Sequence, residues 1–371
     1  MYKPTGYPVR HRRKVPFRPN MRLDLGYRRL LDRIRILDAE LERIILSDRD
    51  YLELVKDSFS SNIHRSVSLE GNPLSEKEVR RISTSFLEGR LNDLDTDNHT
   101  QEILNHLYSF LFKEKFSLPW DIEKIKQVHR IITMGIGLGT EPGVFRKERS
   151  CVRGEDGFEY FIPCPPEHLE EEMDSLLDWL NHSPYDEVVT ATIFFHEFES
   201  IHPFDDGNGR AGRTLFHMLL QEMGLKNSGL CKFEKEVLGS LDLYYNLLAY
   251  TDESGDYEPI VLYVTESLLH AYEEALDSLQ GKNILKNLDE ASKTLVIRAK
   301  GNSWFSVPDA AGWIVSMSEQ SIRKRLVQLE GMGVIERKGK TRSLRFRFKD
   351  PFIDLKEDRR KRFEQRRLLD D

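Results

Sequence analysis

The chain has 371 residues, of which 39% are hydrophobic and 32% are charged, and this composition indicates a soluble globular protein with two or three domains. No stretch approaches the roughly 20 apolar residues of a membrane span, and the three cysteines give no disulfide framework, so we expect a cytoplasmic protein. The net charge of −7 combines −16 over residues 1–280 with +9 over residues 281–371, which argues against a broad basic nucleic-acid-binding surface on the body.

The chain begins with a predicted extended arm. Residues 1–20 are rich in Arg, Lys and Pro and have no apolar period, so we expect them to pack across another part of the protein. From Leu23 to about Val55, apolar residues follow the spacing of one long amphipathic helix.

A further helix is predicted from Ser58 to the neighbourhood of Asn72. It ends at Glu70, because Gly71 suits a C-terminal cap and the proline that follows Asn72 prevents continuation. Ser75 and Glu78 then have the spacing of a capping box, which predicts the start of the next helix. Residues 79–135 continue with helical apolar periodicity and are predicted to form core helices.

The helical pattern breaks between Pro142 and Pro166. The strand-like stretch 150–153, a turn at 154–157 and a second strand-like stretch predict a β-hairpin, which is either structural or functional. The second strand of this hairpin comprises Phe158, Glu159, Tyr160, Phe161 and Ile162. Cys151, Cys164 and His168 do not have the arrangement of a zinc site.

The twelve residues from His202 to Arg213, HPFDDGNGRAGR, lie between two predicted helices. The glycines stand where the second helix begins, and a helix N-terminus with close backbone approach binds anions. The two arginines are three positions apart and present planar donor groups that suit phosphate oxygens. An imidazole that is neutral near physiological pH can accept a proton from an attacking hydroxyl. The segment therefore predicts a polyphosphate site with an adjacent base.

This segment resembles the signature of the Fic family, HPFxDGNGRxxR, and every specified position is matched. The resemblance implies transfer of AMP from ATP to a hydroxyl of a target protein. His202 would be the general base and Asp206 the Mg²⁺ ligand. The nucleotide would be held by Gly207, Asn208, Gly209, Arg210 and Arg213.

The stretch Ser66–Asn72 resembles the inhibitory motif of Fic proteins, (S/T)xxxE(G/N), although a plain helix end gives the same pattern. The resemblance implies that Glu70, together with Ser66, restrains the site. A carboxylate at Glu70 would pair with the guanidinium of Arg213, which would otherwise hold the γ-phosphate.

Two further features take their expected roles from the same resemblance. The hairpin would be the flap, whose strand pairs with the target peptide, and 158–162 would be its target-binding part. Tyr244 and Tyr245 fall where relatives have tyrosines beside the nucleotide, although buried tyrosines are also common in helical cores.

The C-terminal part is predicted to contain three helices and a hairpin. The helices cover 284–299, 307–315 and 319–330, and the strands flank a basic turn at 338–342. This order resembles a winged helix-turn-helix domain, with Arg323, Lys324 and Arg325 on its recognition helix and Lys340 and Arg342 on its wing. Such domains bind DNA or serve as protein-binding and dimerisation modules, so both a DNA partner and a homodimer stay open.

The resulting expectation is a mainly α protein: a Fic-type helical core with a β-hairpin flap, an N-terminal helical region and a C-terminal winged helix-turn-helix domain. The predicted limits are 1–115 for the arm and N-terminal helices, 116–278 for the catalytic core, 279–350 for the winged helix and 351–371 for a basic tail. A nucleotide-sensing transcription regulator and an enzyme that removes AMP are the alternative functions. A zinc hydrolase is disfavoured, because no second histidine follows His196 at the HExxH spacing.

Overall fold

The computed structural model describes residues 8–90, 94, 97–112, 116–137, 141–153, 157–340 and 343–349. These residues divide into two compact units. One comprises residues 8–38 and 56–275, and the other comprises residues 39–55 and 276–349. No helix in the described ranges has the length and apolar content that crossing a bilayer requires. The four domain limits predicted from the sequence stay predictions.

The N-terminal region contains helices α1 (Leu25–Arg43), α2 (Asp48–Ser68) and α3 (Glu76–Glu88). The prediction of one long helix from Leu23 to Val55 was wrong, because residues 44–47 are not helical and separate α1 from α2. Ser47 accepts the backbone N–H of Asp50 at 3.1 Å and donates to its carboxylate at 2.6 Å, so it caps the start of α2. The predicted start at Ser58 therefore lies inside α2.

The end of α2 and the start of α3 follow the predicted chemistry. Helix α2 ends at Ser68, two residues before the predicted end at Glu70, and Gly71 adopts a positive φ of 86° in the turn that follows. Ser75 caps α3 by accepting the backbone N–H of Glu78, whose side chain bonds back to the backbone of Ser75. The capping-box prediction is confirmed.

The first unit is built around α7 (Glu187–Ile201). Every residue of α7 except Glu199 is buried, as expected for a helix surrounded on all sides. Asp186 caps α7 by accepting the backbone N–H groups of Val188 and Val189. Helix α7 packs against α6 (Leu169–Asn181) and α8 (Asn208–Glu222). The remaining helices of this unit are α4 (Asn98–Phe112), α5 (Ile122–Thr133), α9 (Phe233–Val237), α10 (Leu241–Ser254) and α11 (Glu258–Ser278).

A small three-stranded sheet lies in the first unit. The predicted hairpin is confirmed, because β2 (Val152–Arg153) pairs antiparallel with β3 (Glu159–Ile162); its turn at 154–156 lies outside the described residues. The N-terminal arm contributes β1 (Val9–Arg10), which pairs in parallel with the other edge of β3. The strand order is therefore β1-β3-β2, and the arm is part of the sheet.

The second unit contains helices and one hairpin around a separate apolar core. Helices α12 (Glu290–Lys300), α13 (Val307–Trp313) and α14 (Glu319–Gly331) precede the antiparallel strands β4 (Ile335–Lys338) and β5 (Arg345–Phe348). The prediction of a single helix over 284–299 was wrong: a short 3₁₀ turn at Ile284–Asn287 is separated from α12 by Asp289, which caps α12. The core of this unit includes Ile45, Leu295, Phe305, Ile322, Leu326 and Phe346. Arg342 and the basic tail lie outside the described residues, and the winged-helix assignment stays a prediction.

The arm is expected to contribute to stability through Phe17. Its ring is 6% exposed and packs edge-on against Trp179 at 5.2 Å between ring centroids. Phe17→Ala should cost about 3 kcal/mol, because it removes a buried ring and leaves a cavity. Thermal unfolding would measure this cost. The neighbouring Arg18→Ala changes an exposed side chain and serves as the control, and equal midpoints for both variants would contradict a stabilising role of the arm.

Candidate active site

His202 ends helix α7 in an unusual backbone conformation. Its φ of 52° is the one positive value for a residue other than glycine in the described ranges. Its backbone N–H donates to the carbonyl of Phe198 at 2.9 Å, and its carbonyl accepts a hydrogen bond from the Arg146 guanidinium at 2.8 Å. A left-handed conformation costs a β-carbon-bearing residue roughly 1–2 kcal/mol, so the surrounding bonds must hold it.

The imidazole of His202 is held in one tautomer. Its Nδ1 lies 3.3 Å from the carbonyl oxygen of Glu199, which only accepts hydrogen bonds, so Nδ1 carries the proton. The Nε2 atom is therefore the acceptor. Burial lowers the pKa of His202 to about 4, and the positive charge of Arg146 acts in the same direction. The imidazole is neutral at physiological pH and can accept a proton.

The loop between α7 and α8 is fixed by its own side chains. Phe204 is fully buried and stacks on the ring of His129, with 3.6 Å between ring centroids. The Asn208 amide accepts the Phe204 N–H at 2.9 Å and donates to the Phe204 carbonyl at 2.8 Å. His129 also donates from Nε2 to the carbonyl of Asp206 at 2.8 Å. The Asn208 side chain therefore shapes the loop, and its backbone begins α8.

Gly207 is required by this loop geometry. It has a φ of 82°, and a Cβ at this position would lie 2.7 Å from Thr133 Cγ2. Any other residue would clash and would also be strained in this conformation. The result is a helix N-terminus whose first N–H groups are left for an anion.

Arg210 is buried in the first turn of α8, where its two terminal nitrogens pair with carboxylates and its Nε has no hydrogen-bond partner in the described part of the chain. It is 2% exposed, and it donates to Glu102 on α4 and, at 2.9 Å, to Asp206 Oδ1. The structure therefore places Arg210 as a support for Asp206. Glu102 was missed by the sequence reasoning, because it lies 108 residues away in an ordinary helical pattern and carries no motif.

Arg213 contacts Ser66 and Glu70, the two residues of the predicted inhibitory motif. Its Nη2 donates to Glu70 Oε1 at 2.9 Å and to the Ser66 carbonyl at 2.9 Å, and its Nε donates to Ser66 Oγ at 2.7 Å. The Glu70 side chain is 28% exposed and that of Arg213 is 12% exposed. This is a charge-assisted pair at the rim of a buried site.

Glu70 lies over the first turn of α8. A Cβ at Gly209 would collide with Glu70 Oε1 and would lie 3.0 Å from Arg213 Nη1. The carboxylate thus occupies the space where the N-terminus of α8 would receive an anion. Burial acts to raise the pKa of Glu70, but the charges of Arg213 and Arg210 outweigh it and hold the pKa below its ordinary value. Glu70 is therefore ionised at physiological pH.

Glu199 is a second carboxyl beside this pair and was not found from the sequence. Its Oε1 is buried with no hydrogen-bond partner in the described part of the chain, and a Cβ at Gly212 would collide with it. Burial raises the pKa of Glu199 to about 8, with Glu70 acting in the same direction and Arg213 opposing it. Glu199 therefore carries a proton at neutral pH.

The predicted tyrosines and the predicted hairpin strand differ in how far their side chains are buried. Tyr244 is buried and Tyr245 is 52% exposed, with 5.4 Å between their ring centroids; burial raises the pKa of both phenols, and the charge of Arg213 opposes this. In the hairpin, Phe158 and Tyr160 are exposed and pack edge-on at 5.2 Å between ring centroids. Glu159 and Phe161 pair with β2. Phe161 and Ile162 pair with β1.

Arg146 connects the hairpin to the loop and was also missed. Its buried guanidinium donates to the carbonyls of His202, Ile201, Cys164 and Glu148. These bonds join the segment after β3 to the end of α7. A single arginine before a strand gives no sequence signal for such a role.

Comparison with known proteins identifies the central region. Residues 119–220 match the model of the Fic/DOC family. A protein adenylyltransferase Fic of Drosophila willistoni is 27% identical over 300 residues, covering 76% of this chain and 56% of the relative. A protein adenylyltransferase Fic of Nematostella vectensis is 26% identical over 266 residues, covering 66% and 58%. The chain thus spans a little over half the length of these relatives.

Solved structures share the fold. A crystal structure of a Fic family protein from Desulfovibrio desulfuricans G20 covers 90% of this chain and 98% of its own, with a TM-score of 0.59 and 24% identity. A Fic domain containing signaling protein from Bacteroides thetaiotaomicron VPI-5482 covers 70% and 98%, with a TM-score of 0.50 and 20% identity. The expectation of a mainly helical Fic-type fold is confirmed.

Glu199→Gln is expected to change how stability depends on pH. Between its ordinary pKa and the raised value near 8, Glu199 binds its proton more tightly in the folded state. The free energy of unfolding should therefore fall as pH rises through this window. Glutamine does not ionise, so the variant does not undergo this loss. From pH 5 to pH 8 its free energy of unfolding should therefore rise by about 2–4 kcal/mol relative to that of the wild type.

Denaturant unfolding at several pH values measures this gap. Glu222→Gln, at an exposed position of α8, is the matched control and should follow the wild-type curve. Parallel curves for Glu199→Gln and the wild type would contradict a protonated Glu199.

Proposed function

We propose that this chain, which carries a Fic/DOC domain over residues 119–220, transfers AMP from ATP to a hydroxyl side chain of a target protein. The proposal rests on the half-buried, neutral His202 at the end of α7 and on the start of α8, where Arg213 supplies a guanidinium. A base, an anion-binding helix end and a positive side chain are the groups that phosphoryl transfer requires. The names of the curated relatives, protein adenylyltransferases, support the same reaction.

The proposed ATP site uses the start of α8. The backbone N–H groups of Asn208 and Gly209 would bind phosphate oxygens, and Arg213 would hold the end of the triphosphate. Gly207, whose own N–H donates to Asp206 Oδ1, would let the phosphates approach the backbone closely. Tyr244 and Tyr245 offer aromatic faces for the adenine and the ribose. Arg210, buried between two carboxylates, acts here by orienting Asp206 rather than by direct contact with open solvent.

Asp206 is the proposed Mg²⁺ ligand. Both hydrogen bonds of its carboxylate within the described part of the chain are accepted by Oδ1, and its side chain is 40% exposed. Oδ2 is therefore left for a cation, and one carboxylate plus substrate phosphates is a usual Mg²⁺ environment. The ion would neutralise charge on the phosphates when bound.

The chemical step needs one proton transfer. The hydroxyl oxygen of the target attacks the α-phosphorus, and His202 Nε2 accepts the hydroxyl proton. The new bond joins oxygen to the α-phosphorus, and the bond from the α-phosphorus to the bridging oxygen breaks, so pyrophosphate leaves. The neutral form of His202 that burial enforces is the form this step requires.

We further propose that Glu70 inhibits this reaction. Its carboxylate engages the guanidinium that the triphosphate would use and covers Gly209. ATP would then bind with its α-phosphate out of line with the target hydroxyl. The same site would serve removal of AMP or transfer of another phosphate-containing group, which stay alternatives.

The proposed target surface is the hairpin strand 158–162. An extended peptide binds a sheet by adding a strand to a free edge; because β1 and β2 pair with both edges of β3, the peptide would add to the outer edge of β2, and residues 158–162 would contact it through their side chains. Phe158 and Tyr160, which are exposed, are suited to contact target side chains. The three free cysteines agree with the proposed cytoplasmic location.

Glu70→Gly should increase AMP incorporation by roughly tenfold or more, because it removes a charge-assisted pair that competes with ATP. In the same background, His202→Ala should lower incorporation by at least ~100-fold, because the general base is lost. Intact-mass measurement of the purified chain, incubated with ATP, Mg²⁺ and a cell extract as target source, reads out both effects.

Ser68→Gly is the matched control for Glu70→Gly. It introduces glycine at the same helix end, at an exposed side chain that does not touch Arg213, and should leave incorporation unchanged. AMP incorporation that is equal in Glu70→Gly and wild type would refute inhibition by Glu70. Incorporation that persists in His202→Ala would refute the proposed base.

A second candidate function concerns the second unit. Arg323 and Lys324 are exposed on α14, whereas Arg325 pairs with Asp289 at 2.9 Å. Two exposed basic side chains on one helix are suited to contact DNA phosphates. This favours a nucleotide-sensing transcription regulator. A protein-binding or dimerisation role of this unit is the competing interpretation.

The affinity of the full chain for duplex DNA should fall steeply as the salt concentration rises. The double variant Arg323→Ala, Lys324→Ala should reduce the slope of log affinity against log salt concentration by about two, because two phosphate contacts are lost. Filter retention at low and moderate salt measures it. Lys293→Ala, on α12, is the control. Absence of DNA retention at low salt removes this function and leaves the enzyme proposal untouched.

A further inference from the structure

Three side chains from distant parts of the chain converge away from the site around His202. They are His11, after β1, Cys164, after β3, and Glu172 on α6. One nitrogen, one sulfur and one oxygen atom of these side chains all lie within 4.8 Å of one another. His11 and Glu172 have side chains only 2% and 3% exposed, and Cys164 is 1% exposed. The cluster is therefore a buried set of three different donor types.

The His11 ring is oriented by a hydrogen-bond chain. Its Nδ1 lies 2.9 Å from Ser200 Oγ, and Ser200 Oγ donates to Asp252 Oδ1 at 2.7 Å. Because the serine proton is used towards Asp252, Ser200 Oγ accepts from His11 Nδ1–H. The Nε2 atom is thus the free acceptor of the ring. Histidines that bind metals are oriented in this way, through a hydrogen bond from the second ring nitrogen.

The inner atoms of the cluster make few hydrogen bonds, and Cys164 Sγ donates only to the Pro165 carbonyl, at 3.5 Å, in the described part of the chain. His11 Nε2 and Glu172 Oε1 are buried without a hydrogen-bond partner in the described part of the chain. His11 Nε2 lies 3.7 Å from Glu172 Oε2, which accepts the Lys14 backbone N–H at 3.3 Å. A lone pair facing a carboxylate in a buried site is unfavourable unless a cation or a proton lies between them.

We infer that His11, Cys164 and Glu172 bind a zinc ion. Imidazole, thiolate and carboxylate are the ligand types that Zn²⁺ accepts, and three protein ligands leave a fourth position for water. The mixture of sulfur and nitrogen donors disfavours Mg²⁺ and Ca²⁺. Binding forms bonds from the metal to the nitrogen, oxygen and sulfur atoms and releases the Cys164 thiol proton to solvent.

The alternative is a protonated His11 paired with Glu172. Two neighbouring guanidinium groups lower the attraction of the cluster for any further positive charge, whether a metal ion or a proton on His11. Arg13 Nε lies 3.4 Å from Glu172 Oε1, and Arg146 donates to the Cys164 carbonyl. Arg13 is itself paired with Glu171, which offsets its charge. The experiment must therefore distinguish a metal from a proton.

A zinc ion here would join the arm to the sheet. His11 directly follows β1, and Cys164 lies two residues after β3 ends at Ile162. Zn²⁺ would connect the ends of these two paired strands to α6 through Glu172. The site shares no residue with the proposed nucleotide site, so its existence does not depend on AMP transfer.

The test uses the full chain, stripped of metal and reloaded. We expect about one Zn²⁺ per chain after dialysis, and a midpoint of thermal unfolding that rises by several degrees with Zn²⁺. With Co²⁺ as the probe, wild type should show a near-ultraviolet thiolate-to-cobalt charge-transfer band, which reports a cysteine ligand directly.

Cys164→Ser should remove this band, and His11→Ala should weaken Zn²⁺ binding by at least ~10-fold. Cys151→Ser removes a thiol outside the cluster and should change neither. If Cys164→Ser does not fold, the Co²⁺ spectrum of the wild type and the affinity of His11→Ala still decide the question. A wild type that binds no stoichiometric Zn²⁺, a Co²⁺ complex without the band, or equal effects of Cys151→Ser and Cys164→Ser would overturn the zinc site and leave the protonated pair.

Discussion

The positive charge at the start of α8 is the constraint on which the candidate active site depends. The helix dipole, Arg210 and Arg213 all place positive potential in one small and largely buried volume. Such charge must be matched, because an unpaired buried ion costs several kcal/mol. Glu102 and Asp206 match Arg210, and Glu70 matches Arg213. Glu70 thereby occupies the position that suits a phosphate, so charge compensation and the proposed inhibition are the same contact.

A further positive side chain, Arg146, acts on His202, the proposed base. Arg146 lowers the pKa of His202, in addition to the effect of burial. It also holds the His202 carbonyl, and so it supports the left-handed backbone that turns the chain from α7 into the loop. Arg146 therefore both shapes the loop and keeps the His202 imidazole neutral, so the loop conformation and the protonation state of His202 depend on the same side chain. Within the described ranges the His202 ring bonds the Glu199 carbonyl and no carboxylate, and the charges of Glu70 and Asp206 only partly oppose the lowering of its pKa.

Local chemistry could be read from the sequence, whereas partners distant in the chain could not. The loop from His202 to Arg213, the capping box at Ser75 and the hairpin are encoded in contiguous residues, and each was predictable. The break at residues 44–47 was missed because apolar periodicity continues across it and only the Ser47 cap marks it. Glu102, Arg146 and Glu199 have no motif of their own, and their roles exist only in the folded chain. Glu102 is 108 residues from Arg210, Arg146 is 56 residues from His202, and the pKa of Glu199 is raised by burial and by Glu70.

The N-terminal strand adds a constraint on how a target can approach. Strand β3 has β2 on one edge and β1 on the other, so both of its edges are already paired. Backbone N–H and C=O groups can each pair with only one neighbouring strand on a given edge. A peptide that adds to β3 must therefore displace β1, whereas one that adds to the outer edge of β2 need not. Because His11 and Phe17, which both follow β1, anchor the arm with buried contacts, displacement of β1 has a free-energy cost that addition to β2 avoids. The arm therefore favours the edge of β2 as the target-binding edge.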